Sequence, residues 1–290
     1  MTDSLQHLVG GDNPRLAYRA VAGTNPTVVW LGGFHSDMTG TKAQVLADQA
    51  QATGGGYLRF DYFGHGESDG DFAEGTITRW REDALRVIDE LTEGPLVLVG
   101  SSMGGWLACL AAVARPARVK AMVLIAPAPD FTEKLMEPEL PPEAKAAIAR
   151  DGFWTRPSDY DDGGYPITRT LLEDGARWSI LPGPVPIDIP VRILQGGVDP
   201  DVPWTHALEL ANALNSDDVV FTLIKDGDHR LSRPQDLERL VAAVAEARSL
   251  IETDGEGDLV SRRLARAARL RGAPNLEALA PAPWASAEEE

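Results

Sequence analysis

The stretch Pro95–Ala114, PLVLVGSSMGGWLACLAAVA, carries the clearest fold signal in this 290-residue chain. It opens with a run of leucine and valine, reaches a short Gly-Ser-Ser-Met-Gly segment, and continues in small and apolar residues. A short apolar run bounded by a turn is typical of a strand that is buried on both faces of a sheet. The stretch therefore predicts a buried strand at Leu96–Val99 that turns directly into a helix at Met103–Ala114.

The sequence on either side repeats this alternation of short strands and longer helices. Further strands are predicted at Arg15–Val21, Thr27–Leu31, Tyr57–Asp61, Val119–Ile125, Val191–Gln195 and Val219–Ile224. Further helices are predicted at Thr41–Ala52, Thr76–Leu91, Trp204–Leu214 and Pro234–Ile251. This spacing indicates an α/β protein with a mostly parallel, doubly wound sheet and helices on both faces.

One segment, at about residues 128–189, interrupts the alternation after the sixth strand of the fold. Proline, tryptophan, tyrosine and acidic residues replace the apolar runs, so no strand is predicted there. Helices are predicted at Pro142–Arg150 and Ile167–Arg177. An excursion of this length that leaves and rejoins a sheet predicts a lid over a site.

The composition is that of a globular protein with a strongly acidic surface. The chain has 27 Lys+Arg against 44 Asp+Glu, a formal net charge of −17, and 43% hydrophobic residues. Such a surface repels phosphates, which excludes nucleic acid as the main partner. The single cysteine, Cys109, excludes an internal disulfide, and we expect it to be a buried core residue. Since no apolar run is long enough to span a membrane and the N-terminal stretch lacks the features of a signal peptide, a cytoplasmic location is expected.

The chain is predicted to divide into a catalytic domain at residues 1–252 and a C-terminal tail at residues 253–290. The tail contains LVSRRLARAARLR, which has five arginines and no acid. Four of these arginines share one side of a helix: Arg262, Arg263, Arg266 and Arg269. We expect this basic helix to dock on the acidic body or on a second subunit, and the Ala/Pro-rich tip to be disordered.

Two segments match the Gly-x-Ser-x-Gly pattern of a nucleophilic serine, one centred on Ser68 and one on Ser102. In that pattern the serine stands on a strained turn between a strand and a helix, where its hydroxyl is exposed. Ser102 directly follows the strand and directly precedes the helix of the opening stretch. Ser68 lies several residues beyond its strand and continues into DGDFAEGT, which is not expected to start a helix. The sequence therefore predicts Ser102 as the nucleophile and Ser68 as a loop residue.

Two backbone N–H groups are expected to stabilise the oxyanion of the reaction. The first is that of Met103, because the N-terminus of a helix presents unpaired N–H groups and a positive dipole end. The second is that of Phe34, because it follows the turn Gly32-Gly33 at the end of the neighbouring strand.

The base and the acid of such a site follow the serine in the order acid, then histidine. His229 lies in a loop after the last strand, whereas His206 stands near the start of a helix and is predicted to be a surface or capping residue. Asp199 is predicted as the acid, with Asp201 and Asp130 as competitors that the sequence leaves open. The acid would fix the tautomer of the histidine and stabilise the imidazolium.

The lid carries aromatic residues that could line an apolar acyl pocket or, as readily, anchor the lid to the body: Phe153, Trp154, Tyr160, Tyr165 and Trp178. We predict Trp154, Tyr160 and Trp178 as pocket residues. The chemistry of a serine nucleophile needs no metal ion and no organic cofactor, so none is expected.

These residues together resemble the α/β-hydrolase superfamily. The resemblance is to the branch that groups mitochondrial abhydrolase-domain palmitoyl-protein thioesterases and acyl-glucuronide esterases. It is carried by LGGFHSDMTGTKA, RFDYFGHGESDG, VGSSMGGWLACLAA, GFWTRPSDY, VDPDVPW and GDHR, and it extends from Asn13 to Ile251. It implies acyl-ester and thioester hydrolysis, and it implies catalytic roles for Ser102, Asp199 and His229, the residues already chosen from motif and order.

The predicted function is therefore that of a serine hydrolase that cleaves ester or thioester bonds through an acyl-enzyme, on a small-molecule or acylated-protein substrate. The same triad also serves peptidases, amidases and small-ester hydrolases, which remain alternatives. A non-catalytic binding protein on the same fold is the alternative outside the enzyme class.

Overall fold

The strand that precedes Ser102 lies near the middle of a mostly parallel sheet. The computed structural model describes residues 3–11, 13–157, 164–181 and 183–254. The strands of this part of the chain are Gln6–Gly10 (β1), Asn13–Val21 (β2), Thr24–Leu31 (β3), Gly55–Phe60 (β4), Leu96–Ser101 (β5), Val119–Ile125 (β6), Phe153–Arg156 (β7), Tyr165–Thr168 (β8), Val191–Gly196 (β9) and Val219–Ile224 (β10). Eight of these described strands form one sheet in the order β1-β2-β4-β3-β5-β6-β9-β10. Only the pairs β1–β2 and β2–β4 in it are antiparallel.

Helices cover both faces of this sheet, as the alternation of strands and helices predicts. The described helices are Thr41–Thr53 (α1), Ile77–Leu91 (α2), Met103–Ala114 (α3), Glu137–Glu139 (α4), Pro142–Asp151 (α5), Arg169–Arg177 (α6), Trp204–Ala213 (α7) and Pro234–Asp254 (α8). Buried side chains of α1 and α8 pack into one core on one face, and those of α2, α3 and α7 belong to a second core. The predicted α/β-hydrolase fold is therefore confirmed.

The helices begin and end where local chemistry favours it. The side chain of Thr76 accepts a hydrogen bond from the N–H of Arg79 and caps the N-terminus of α2. Gly54 follows α1 with φ +71°, a left-handed conformation that glycine adopts without steric cost. These signals are readable in the sequence, and the predicted helices accordingly agree with the described ones to within a few residues.

The segment between β6 and β9 differs from the prediction in one respect. The sequence predicts no strand there, but β7 and β8 pair as an antiparallel hairpin, Phe153 opposite Thr168. The helix expected from Ile167 begins at Arg169 instead, because the Thr168 side chain accepts a hydrogen bond from the N–H of Leu171 and caps it. Four-residue strands carry too short a pattern to be read from one sequence. The loop of this hairpin, residues 158–163, lies outside the described residues.

Two smaller differences concern the edge of the sheet and the loop after Ser68. The strand β1 was not predicted, and it pairs with β2 at the edge of the sheet. The segment after Ser68 contains a 3₁₀ turn at Phe72–Glu74, where the Asp71 side chain accepts the N–H of Ala73.

The basic segment of the tail lies outside the described residues. Among the described helices, none is long and apolar enough to cross a membrane.

Candidate active site

Ser102 occupies a strained turn between β5 and α3. Its backbone has φ +54° and ψ −119°, a conformation that residues with a side chain adopt only where the surroundings enforce it. The N–H of Ser102 donates to the carbonyl of Ile125 at 2.9 Å, and its own carbonyl accepts the N–H groups of Gly105 and Ala128. These three hydrogen bonds hold the turn from both sides.

The glycines on either side of this serine allow the elements to approach closely. A Cβ on Gly100 would lie 2.3 Å from the carbonyl oxygen of Gly104. A Cβ on Gly104 would lie 2.0 Å from the carbonyl oxygen of Leu31, at the end of β3. Both distances are far shorter than a carbon–oxygen contact permits, so the turn requires glycine at both positions.

Ser102 opens into a cavity of about 600 Å³. The predicted oxyanion donors Phe34 and Met103 line this cavity, and so does His229. The structure therefore brings together residues that are far apart in the sequence, because the parallel strands before them end at the same edge of the sheet.

His229 contacts Asp199 at the edge of this cavity. The distance from His229 Nδ1 to Asp199 Oδ2 is 2.8 Å, and the Asp199 side chain is fully buried. The other carboxylate oxygen of Asp199 accepts the backbone N–H groups of Asp201 and Val202, each at 2.9 Å. Because a carboxylate only accepts hydrogen bonds, Nδ1 of His229 is the donor in this contact, and Nε2 is the ring nitrogen left to accept a proton.

Neither of the two competing acids pairs with His229. Asp201 lines the cavity and is exposed. Within the described residues, no hydrogen bond joins its side chain to the ring of His229. Asp130 is buried and accepts hydrogen bonds from the hydroxyl of Ser179 and from the N–H groups of Ile180 and Leu181. Asp130 therefore joins the two ends of the insertion, and Asp199 is the acid that pairs with His229.

The expectation that His206 lies at the surface is wrong. His206 is 7% exposed, and its Nε2 lies 2.8 Å from the carbonyl oxygen of Pro129. Burial lowers the pKa of His206 below its ordinary value. The sequence carries a signal for this, because His206, Ala207 and Leu210 share one face of α7 and all three are buried.

Ser68, in the second Gly-x-Ser-x-Gly match, stabilises its loop, as predicted. Its hydroxyl donates to the carbonyl of Asp61 at 2.7 Å and accepts the N–H of Ala17 at 2.8 Å. Ser68 is not one of the described residues that line the cavity.

The predicted oxyanion loop approaches the serine closely. A Cβ on Gly33 would lie 3.5 Å from the Cβ of Ser102, which places the backbone before Phe34 against the serine. The ring of Phe34 packs edge-on against Phe72 and Trp80, at centroid distances of 5.0 and 5.8 Å. The N–H of Met103 belongs to the first residue of α3 and has no acceptor within the helix.

The prediction of pocket aromatics is corrected by the structure. Neither Trp154 nor Trp178 is among the described residues that line the cavity, and Tyr160 lies outside the described residues. Trp178 anchors the insertion instead: its indole N–H donates to the Thr78 hydroxyl at 2.7 Å, and its carbonyl accepts the indole N–H of Trp106. The apolar wall comes from Tyr165 and from the helical turn after β6, which supplies Phe131, Leu135 and Met136. Their spacing, i, i+4 and i+5, is a helical signal that the sequence offered.

Lys42 at the start of α1 also lines the cavity, and sequence reasoning missed it. Its ammonium donates a hydrogen bond to the backbone carbonyl of Arg230, the residue after His229. Burial, followed by the nearby Arg230 cation, lowers the pKa of Lys42 to about 8, and Asp228 partly opposes this shift. Lys42 thereby ties α1 to the loop that carries His229.

One cluster of side chains has the composition of a metal site. Ligand atoms of Asp199, Asp201 and His229 lie within 4.8 Å of one another. Both oxygens of Asp199 already accept hydrogen bonds, from His229 and from two backbone N–H groups. A metal ion would have to displace these contacts, so the donor set fits a hydrogen-bonded pair better than a cation site. The thiol of Cys109 is buried, which raises its pKa to about 12, so it suits neither ligation nor nucleophilic attack.

The sheet, the helices on both faces and the serine at a strained strand-to-helix turn define the α/β-hydrolase class. A family model described as Serine aminopeptidase, S33 (Hydrolase_4) matches residues 23–152. Palmitoyl-protein thioesterase ABHD10, mitochondrial, from Bos taurus is 40% identical over 242 residues, which are 83% of this chain and 79% of that protein.

Two solved structures are similar over nearly their whole length. Alpha/beta hydrolase domain-containing protein 10 from mouse is 38% identical, with a TM-score of 0.78, and the match covers 86% of this chain and 99% of that one. A protein from Agrobacterium vitis S4, described only as a hydrolase, is 46% identical, with a TM-score of 0.80, and the match covers 84% and 98% of the two chains. The chain belongs to the ABHD10-like branch of the α/β-hydrolase superfamily.

Proposed function

We propose that this protein hydrolyses carboxylic esters and thioesters through an acyl-enzyme on Ser102. The observation that carries the proposal is that the Asp199–His229 pair and the strained Ser102 turn open into one cavity. A serine hydroxyl becomes a nucleophile when a base removes its proton and N–H groups stabilise the oxyanion.

The reaction follows from the roles of these side chains. Nε2 of His229 accepts the proton of the Ser102 hydroxyl while the oxygen attacks the acyl carbonyl. The imidazolium is stabilised by Asp199, which stays ionised, and it returns the proton to the leaving alcohol or thiol as that bond breaks. Water then attacks the acyl-enzyme and gives a proton to His229, which returns that proton to the Ser102 oxygen as the ester bond breaks and the acid leaves. The N–H groups of Phe34 and Met103 donate to the oxyanion in both steps.

The cavity is lined by both apolar and charged side chains, which suits an acyl group together with a polar leaving group. Phe131, Leu135 and Met136 of the insertion offer an apolar surface for the acyl chain, and we propose that the insertion acts as a lid. Charged residues such as Lys42 and Asp201 border the same cavity. The relative from Bos taurus is named a palmitoyl-protein thioesterase, which supports acyl-protein thioesters as substrates. Acyl-glucuronide-like esters are the second class that the family resemblance supports.

A panel of substrates with matched serine variants tests this proposal. Purified protein is offered p-nitrophenyl esters of graded chain length, acyl-CoA thioesters and acyl glucuronides. We expect Ser102→Ala to lose at least about 10³-fold in kcat on every substrate that the wild type turns over. Ser68→Ala, which changes the same motif at the other position, should retain its kcat. Equal activity of wild type and Ser102→Ala would exclude this function.

Amide hydrolysis is the second candidate, favoured by the family model described as Serine aminopeptidase, S33. The same triad can cleave amides, so aminoacyl amides belong in the panel. Turnover of amides without turnover of esters would support a peptidase or amidase over an esterase, and turnover of short-chain esters alone would support a small-ester hydrolase. A folded protein that turns over none of these substrates would support a non-catalytic binding role.

We also propose that residues 1–252 form the catalytic domain and that the basic segment of the tail docks on protein. The chain outside the tail carries a net charge of −15, because the tail holds five of the arginines and seven acids of a chain at −17. Replacing Arg262, Arg263, Arg266 and Arg269 with serine in the full chain should increase its radius of gyration at low salt. In 0.5 M NaCl the difference should vanish, because salt screens charge pairs. Flotation of the wild type with anionic vesicles, without any difference in radius, would contradict docking on protein.

The cytoplasmic location also remains a proposal. The relative from Bos taurus is named as a mitochondrial protein, so subcellular fractionation of the source cells is the deciding measurement.

A further inference from the structure

The loop that carries Phe34 is held from the side by the loop after β4. The N–H of His35, the residue after Phe34, donates to Nε2 of His65 at 3.2 Å. The other ring nitrogen of His65, Nδ1, lies 3.1 Å from the carbonyl oxygen of Phe63. Both ring nitrogens of His65 therefore have a hydrogen-bond partner. Nε2 contacts the loop after β3, and Nδ1 contacts the loop after β4.

These two contacts fix the protonation state of His65. A backbone N–H can only donate, so Nε2 of His65 must be unprotonated to accept from His35. The carbonyl of Phe63 can only accept, so Nδ1 must carry the proton. The ring is 4% exposed, and burial lowers the pKa of His65 to about 4. His65 is thus neutral at physiological pH, with a single tautomer.

The backbone that this hydrogen bond holds is strained. His35 has φ +54°, the left-handed region that residues with a side chain rarely adopt. The peptide N–H held by His65 is the one directly after Phe34, whose own N–H is the proposed second oxyanion donor. A change in this turn would redirect the Phe34 N–H, while the apolar wall formed by Phe131, Leu135 and Met136 belongs to another element.

We propose that His65 is a positioning residue for the oxyanion site: by accepting the N–H of His35 it fixes the turn that directs the Phe34 N–H at the reacting carbonyl. This inference rests on the proposed function. His65 touches neither substrate nor reacting atoms and acts only through the backbone of residues 34 and 35.

A purely structural role is the competing explanation, because the ring of His65 packs edge-on against Phe72 and Trp80 at centroid distances of 5.1 and 5.2 Å. Two variants separate the explanations. His65→Gln can bring its amide oxygen near the position of Nε2 and keep an acceptor for His35. His65→Asn can bring its amide nitrogen near the position of Nδ1 and keep the donor to Phe63, but it is too short to reach His35. Both variants lose the ring and its packing, so they are matched for the structural effect.

The measurements are kcat, KM, thermal stability and the affinity for an arylboronic acid, whose tetrahedral adduct with a serine mimics the oxyanion. We expect His65→Asn to lose about 10- to 100-fold in kcat and a similar factor in boronate affinity, with KM within about twofold of wild type. His65→Gln should recover most of both losses at a similar melting temperature. Ser68→Ala, which weakens the same loop without touching His35, should lower the melting temperature and keep kcat.

Equal kcat for the Asn and Gln variants at equal stability would overturn the positioning role. A rise in KM alone, with kcat and boronate affinity unchanged, would also overturn the positioning role. A wild type that hydrolyses no ester, thioester or amide would instead refute the proposed function, which is a distinct result.

Discussion

At the scale of single residues, identical motifs acquire different roles from the backbone around them. Ser68 and Ser102 stand in the same Gly-x-Ser-x-Gly pattern. The hydroxyl of Ser68 is used in two hydrogen bonds that close its loop, whereas Ser102 stands at φ +54° on the turn into α3 and lines the cavity. The strand before Ser102 and the helix after it made this distinction predictable.

The pairing of Asp199 with His229 leads to a sharp prediction at this scale. Asp199→Asn removes the charge that stabilises the imidazolium and favours the wrong tautomer of His229. We expect kcat to fall about 10³- to 10⁴-fold with KM little changed. Asp201→Asn, two residues away and exposed, is the matched control and should stay within about threefold of wild type. If steady-state kinetics showed a larger loss of kcat in Asp201→Asn than in Asp199→Asn, the catalytic acid would be Asp201.

The polar residues that sequence reasoning missed are those that act through backbone groups. Lys42 donates to the carbonyl of Arg230, and His65 accepts the N–H of His35. Neither contact follows from a motif or from periodicity, because each joins two loops whose proximity only the folded sheet creates. The predicted nucleophile, base and acid could be chosen from the sequence because a motif and a chain order specify them.

At the scale of elements, the helix α3 shows how much a local pattern can predict. Its bounds agree with the prediction, since the apolar run and the Gly-rich turn mark its start. The insertion was less predictable. Its hairpin has strands of four residues, and side-chain contacts between distant residues hold the insertion: Asp174 and Trp178 bond to Thr78 of α2, and Asp130 joins the two ends of the insertion.

The insertion leads to a prediction about chain length. Leu135 lines the cavity, so Leu135→Gln places an amide on the surface proposed for the acyl chain. We expect KM for long-chain p-nitrophenyl esters to rise about tenfold, because an apolar contact is lost, with the acetate ester unaffected. The control is Trp178→Phe, which removes the indole bond to Thr78. It should cost about 1 kcal/mol of stability, measured by urea unfolding, and leave the chain-length preference unchanged.

A uniform rise in KM across all chain lengths would contradict this placement of the acyl chain. A loss of chain-length preference in Trp178→Phe would indicate that Trp178 contributes to the acyl pocket.

At the scale of the whole molecule, the site exists because parallel strands deliver their carboxyl ends to one edge of the sheet. Phe34 follows β3, Ser102 follows β5, Asp199 follows β9 and His229 follows β10. The class of sheet was predictable from the alternation of strands and helices. The order of the strands and the edge strand β1 were not, because strand order is set by packing between distant segments.

The net charge of −17 bears on partners and location more than on chemistry. It does not select among the substrates proposed above. The proposed chemistry depends on Ser102.

The most direct test of that claim is the mass of the intact protein after reaction with a fluorophosphonate, which phosphonylates an activated serine and no other serine. We predict one adduct on the full-length wild type, located by peptide mapping on the Ser102 peptide. Ser68→Ala should form the same adduct and Ser102→Ala none. An adduct on another residue, or equal labelling of Ser102→Ala, would contradict the account.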